Sequence, residues 1–108
     1  APKGVPEIAG PATAIQALQL LEALQTGRVD RAILGDEFNY FLTDRMIEKA
    51  AAALRPYGRP ANAFVESVNE RGGMEVSSTR FEFGSGKLRA VMYRTPDGKV
   101  QQFFVQRY

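Results

Sequence analysis

Three of the four tyrosines and one arginine are the residues whose chemistry a small molecule could use. Tyr40, Tyr57 and Tyr93 each offer a hydroxyl donor, and Arg89 offers a permanent cation that could hold an anionic group. A buried tyrosine beside a cation polarises a carbonyl oxygen by donating to the charge that develops on it. What the chain lacks weighs more. With no Cys among its 108 residues it has no disulfide, no thiol nucleophile and no thiolate metal site, although the compartment stays open because many secreted domains also lack disulfides. With no His it lacks the usual general base near neutral pH and the usual zinc and copper ligand. The residues therefore point to no catalytic set, no metal and no cofactor.

The elements that position these groups belong to one domain, because 108 residues leave no length for a second core. The formal charge of +2 is unevenly spread. Residues 71–108 hold Arg71, Arg80, Lys87, Arg89, Arg94, Lys99 and Arg107 against Glu75, Glu82 and Asp97, so this part carries four positive charges in excess. No adjacent Lys or Arg residues concentrate them, and we read solvated strand charges rather than a nucleic-acid surface. No stretch approaches the roughly 20 apolar residues of a membrane span. Pro2, Pro6 and Pro11 with Gly4 and Gly10 make residues 1–11 a linker or lead-in to a domain over 12–108. The missing initiator Met suggests that something upstream was removed: an artificial start, a signal peptide or a preceding domain.

From Ala12 the pattern is helical. Ile15, Leu18, Leu21 and Leu24 recur near helical spacing, with Pro11 at the entrance and Gly27 where a C-cap belongs. "RVDRAIL" reads as one or two turns, with Asp30 and Asp36 as caps or dipole partners. Phe38, Tyr40 and Phe41 form an aromatic cluster without a period. Thr43 then caps a helix whose apolar stripe is Met46, Ile47, Ala50, Ala51 and Leu54, stopped by Pro56. After residue 62, four strand-like runs follow, separated by "RGG", "GSG" and "TPDG". Helices first and sheet second is an α+β order, with N-terminal helices packed on a curved four-stranded antiparallel meander.

The turns set a predicted register. A three-residue Pro96-Asp97-Gly98 loop pairs Thr95 with Lys99, which places Val91 opposite Phe103, Arg89 opposite Val105, Ala90 opposite Phe104 and Met92 opposite Gln102. A three-residue "GSG" loop places Phe81 near Arg89. One face then collects Thr79, Phe81, Phe83, Val91, Tyr93, Phe103 and Val105 and is expected beneath the helices. The other collects Val76, Ser78, Arg80, Glu82, Leu88, Ala90, Met92, Val100, Gln102 and Phe104. An apolar centre with charged margins has the composition of an interface, here centred on Leu88, Met92 and Phe104 with Arg80 and Arg94 toward its margin. Among the acids of residues 76–105 none is sent inward; Glu75, at a strand end, is the exception.

The order of elements, with "ALQTGRVDRAI", "LTDRMIEKAAAALRPYGRP" and "MYRTPDGKVQQFFV", resembles the nuclear-transport-factor-2-like (cystatin-like) superfamily from about Ala12 to Tyr108, and more loosely the small domains attached to secreted bacterial hydrolases and peptidases. The resemblance implies a cone-shaped cavity between helices and sheet, here lined by Tyr40, Tyr57, Phe81, Arg89, Tyr93 and Phe103, for a small apolar ligand. It also implies an extracytoplasmic setting, periplasmic or secreted. The leading expectation is a non-catalytic interaction module that docks to a parent hydrolase domain or forms a homodimer through the outer sheet face. The alternative is small-ligand binding, or isomerase- or hydrolase-type activity, in the cone.

Overall fold

The computed structural model describes residues 4–108, and its regular structure begins with α1, Thr13–Thr26, ending at Gly27 as expected. Its buried line is Gln16, Ala17, Leu20, Leu21 and Leu24, and Ile15 faces solvent. The expected line through Ile15 fails for a geometric reason: at about 100° per residue, Ile15 and Leu24 stand on opposite sides of a helix. A short 3₁₀ turn, Arg31–Ile33, is capped by Asp30, whose carboxylate accepts from the Ala32 N–H at 3.0 Å. Helix α2 is Asp36–Phe41 and α3 is Asp44–Leu54, where the Met46 N–H donates to Thr43 Oγ1 at 3.2 Å and Ile47, Ala51 and Leu54 are buried. Helices α1 and α3 are stitched together by Gln25, which donates to the Leu54 and Gly58 carbonyls at 3.1 and 2.7 Å.

Four strands follow in one sheet: β1 Asn62–Arg71, β2 Met74–Phe83, β3 Gly86–Arg94 and β4 Val100–Arg107, in the order β1-β2-β3-β4 with every pair antiparallel. The protein is α+β, with N-terminal helices ahead of an open antiparallel sheet. One sheet face lies under the helices. Ala17, Leu20, Leu21 and Leu24 of α1, Ile47 and Leu54 of α3, and Leu34, Phe38 and Leu42 meet Phe81, Phe83, Leu88, Ala90, Met92, Val100 and Phe103 there in one core.

Two details of register overturn part of the expected face assignment. The β2–β3 turn uses two residues, Gly84 and Ser85, because Gly86 already pairs with Phe83. Phe81 therefore sits opposite Leu88 instead of Arg89, and the whole of β3 is turned over: Leu88, Ala90 and Met92 point into the core, while Arg89, Val91 and Tyr93 point out. The β3–β4 loop is Pro96-Asp97-Gly98, with the Thr95 N–H donating to the Lys99 carbonyl at 3.1 Å as the turn residues require. One step further, Arg94 pairs with Val100 but Tyr93 pairs with Gln102, leaving Gln101 as the extra residue of a bulge. Its side chain lies against Gly35, where any Cβ would collide with Gln101 Oε1, and the Gly35 N–H bonds to the Val100 carbonyl at 2.8 Å. The bulge puts Val100 and Phe103, three residues apart, on the same buried face. Hence β4 does not alternate.

Arg94 is the largest correction. It is 2% exposed, at the opposite extreme from a rim residue. Its Nε donates to Glu75 Oε1 at 2.8 Å, its Nη1 to the Pro11 carbonyl at 2.7 Å and its Nη2 to Thr13 Oγ1 at 3.1 Å, while Thr13 donates to Glu75 Oε2 at 2.8 Å. Glu75 is the one acid for which alternation gave an inward direction, and it is buried. Each of the three guanidinium nitrogens donates one hydrogen bond, which offsets much of the cost of burying the ion. The Ala9 N–H adds a bond to the Pro96 carbonyl at 3.0 Å, and Gly98, at φ +90°, has no side chain to collide with the Ala9 carbonyl. The end of the lead-in is thereby tied to the β3–β4 hairpin.

Candidate functional site

Among the described residues no helix covers the second sheet face. Its cross-strand rows run Phe64–Arg80–Arg89–Gln106, then Ser67–Ser78–Val91–Phe104, then Asn69–Val76–Tyr93–Gln102. Alternation along β2 and β3 leaves each of these side chains half-buried while their neighbours are buried. The register of β1 slips between Val65 and Ser67, and this bulge brings Glu66 onto the same face.

Glu66 organises one corner. It accepts from Tyr108 Oη at 2.6 Å and from Arg89 Nε at 3.3 Å, and lies 3.7 Å from Arg80 Nη1. The two guanidinium groups are stacked in turn, Arg80 at 4.3 Å over the Phe64 ring and Arg89 at 4.3 Å over the Tyr108 ring, with the Lys87 ammonium 5.0 Å from the Tyr108 ring. The Tyr108 hydrogen bond, followed by the Arg89 hydrogen bond and charge, holds the Glu66 carboxyl below its usual range. Arg89 is shifted up chiefly by its bond to Glu66, and Tyr108 is shifted up by partial burial and then by Glu66. A depressed carboxyl keeps its partners above the ordinary glutamate range and loses them as pH falls through its lowered value. Tyr108→Phe is expected to move the Glu66 midpoint upward in a carbon-detected NMR titration; an unchanged midpoint would show that the hydroxyl does not hold it.

The residues singled out from sequence are dispersed by this arrangement. Phe81 and Phe103 are inside the core; Arg89 and Tyr93 are on the outer face; Tyr40 projects from α2 at 79% exposure; and the Tyr57 ring packs 5.1 Å from that of Phe83 at the core's edge. They do not converge. Between Leu20, Leu24, Val29, Phe38, Leu42 and Phe103 the helices and sheet close on a void of about 10 Å³, at the lower limit for a single water. Of the expected interface, Arg80 and Phe104 lie on the outer face, whereas Leu88, Met92 and Arg94 are buried on the opposite side for the register reasons above. Sequence reasoning missed Phe64, Glu66, Val91 and Tyr108. The cross-strand pair Phe64 and Arg80 was within reach of an alternation count carried into β1, but the bulge that exposes Glu66 has no turn residue to mark it.

A second concavity of about 400 Å³ lies at the β4 edge of the sheet, bordered by Glu37, Phe38, Phe41, Gln101, Phe103 and Phe104, so that of the predicted ligand residues Phe103 alone reaches it. Among the described residues no three acids gather as a metal-binding group, and no helix is long and apolar enough to cross a membrane. Comparison of the chain with protein-family models, with curated proteins and with solved structures finds no match.

Proposed function

We propose that the protein is a non-catalytic interaction module whose uncovered sheet face docks a protein partner, either a parent hydrolase domain or another copy of the chain. One observation carries the reading. The helices cover one side of the sheet, and the other presents Phe64, Val91, Tyr93, Phe104 and Tyr108 together with Arg80 and Arg89. Aromatic residues and arginine are the types that dominate protein-binding energetics. Stacking and the shared Glu66 hold the two arginines in place before any partner arrives, which lowers the ordering cost of association. Scattered across the strands, the same cations give only a diffuse, salt-sensitive field for nucleic acid. The likeness to the transport-factor-like superfamily belongs to this proposal and is supported by the order of helices and meander alone. An extracytoplasmic setting belongs to it as well.

Site-specific photo-crosslinking tests it. A benzophenone side chain in place of Val91 is expected to capture a protein in the native host, while the same group in place of Glu48, exposed on α3, is not. Equal capture from both positions, or none from position 91, would refute an outer-face docking surface.

A further inference from the structure

The two edges of the sheet are built differently. On β1 the edge is interrupted by the bulge between Val65 and Ser67 and carries Glu66, Glu70 and Arg71, all of which discourage a further strand. On β4 the start is already occupied, since Leu34 bridges Val100 and the Gly35 N–H takes the Val100 carbonyl. From Gln101 to Arg107 no strand among the described residues pairs with the far side of β4. The run Val100–Gln106, "VQQFFVQ", has no charge, no proline and no glycine. Beyond the bulge at Gln101, this edge strand has neither charge nor proline to discourage pairing. Beside it Phe41 is 63% and Phe104 45% exposed, across the cleft of about 400 Å³.

The geometry points to a second copy of this chain as the occupant, with the two β4 strands paired antiparallel about a two-fold axis at Phe104. Gln101–Arg107 is centred on Phe104, so this register uses the whole open edge and leaves the occupied Val100 outside the pair. Phe104 meets the partner's Phe104 on the outer face, Phe103 meets the partner's Val105 on the helix side, and Gln102 meets the partner's Gln106. Gln101 then stands opposite the partner's Arg107. Glu37 borders the cleft next to Gln101, at the end of the edge where the partner's Arg107 arrives. The partner's only charged β4 residue therefore arrives beside an acid, twice by symmetry, and no like charges are brought together. A two-fold of this kind keeps both helical layers on one side and joins the two outer faces into one eight-stranded surface. The inference concerns the edge of the sheet and stands apart from the docking role of its face.

Sedimentation velocity from the micromolar to the millimolar range decides it. Wild type is expected to show a monomer–dimer equilibrium, and Phe104→Asp, which sets two carboxylates on the axis, is expected to be monomeric with an unchanged circular dichroism spectrum. Glu37→Lys and Arg107→Glu should each weaken the dimer by roughly tenfold, because each alters two symmetry-related contacts, and the double variant should restore it. A dimer indifferent to these charge changes but lost on Val91→Arg would place association on the face and overturn the edge pairing. Wild type monomeric throughout would overturn it too and leave the edge to a foreign strand.

Discussion

Arg94→Ala is expected to lower the stability of the domain by ~3–5 kcal/mol, the range for removing one member of a buried ion pair. The substitution takes away three hydrogen bonds at once and leaves the buried Glu75 carboxylate with Thr13 alone. A buried carboxylate stranded in this way has lost its countercharge without regaining water, and that costs free energy. Lysine is no substitute, since one ammonium cannot reach Glu75, Pro11 and Thr13 in three fixed directions. Combining Arg94→Met with Glu75→Leu should recover more than half of the loss, because apolar replacement of both partners removes the stranded charge. Urea unfolding followed by circular dichroism measures each value. A cost for Arg94→Ala below about 1 kcal/mol would put the pair in the range of exposed salt bridges and contradict its burial.

Met92→Arg and Val91→Arg, adjacent substitutions of identical charge, are expected to differ by ~4 kcal/mol or more. Met92 is wholly buried beneath the helices and has no carboxylate facing it across the sheet, where its neighbours are Ser77 and Phe103. A guanidinium there can be neither solvated nor paired, so Met92→Arg should abolish cooperative unfolding at room temperature. Val91 sits on the open face between Ser78 and Phe104, where an arginine can lay its stem along the sheet and keep its head in water. Its cost should be about 1 kcal/mol or less. The opposite ranking would mean that β3 faces the other way. The pair is thus a direct reading of strand parity, independent of any binding partner.

Parity is also where the sequence stopped being legible. The order of helices and strands, the Thr43 cap, the Thr95–Lys99 turn and the inward direction of β2 were all readable, because each depends on residues within a few positions of one another. The direction of β3 turned on whether Gly86 belongs to the loop or to the strand, and glycine is at home in both. Strand β4 is harder still. Phe103 inward and Phe104 outward were readable and hold, but Val100, assigned to the outer face, is buried, because the Gln101 bulge, lying against Gly35 66 positions earlier, shifts the start of the strand by one residue. The outer corner suffers from the same limitation: Glu66, Arg89 and Tyr108 come from β1, β3 and the chain's last residue, and nothing local to any of them signals the meeting. Once β3 is turned over, an uncovered face still exists, but it is built from Val91 and Tyr93 in place of Leu88 and Met92.

The bond from Arg94 to the Pro11 carbonyl also gives the molecule a path for mechanical load. A pull applied along residues 4–10 reaches Ala9 and Pro11 first, and these are anchored to Pro96 and Arg94 rather than to the helix that follows. Through Glu75 the tension passes directly into β2 and β3, the two central strands, where a long antiparallel ladder shares it among many bonds. Helix α1 enters the same knot through Thr13, so its first turn stays fixed for as long as the cluster holds. Stretching from this end should therefore produce one high-force event, the rupture of the Arg94 cluster, before any helix is lost, whereas without the guanidinium the same pull would peel α1 away turn by turn.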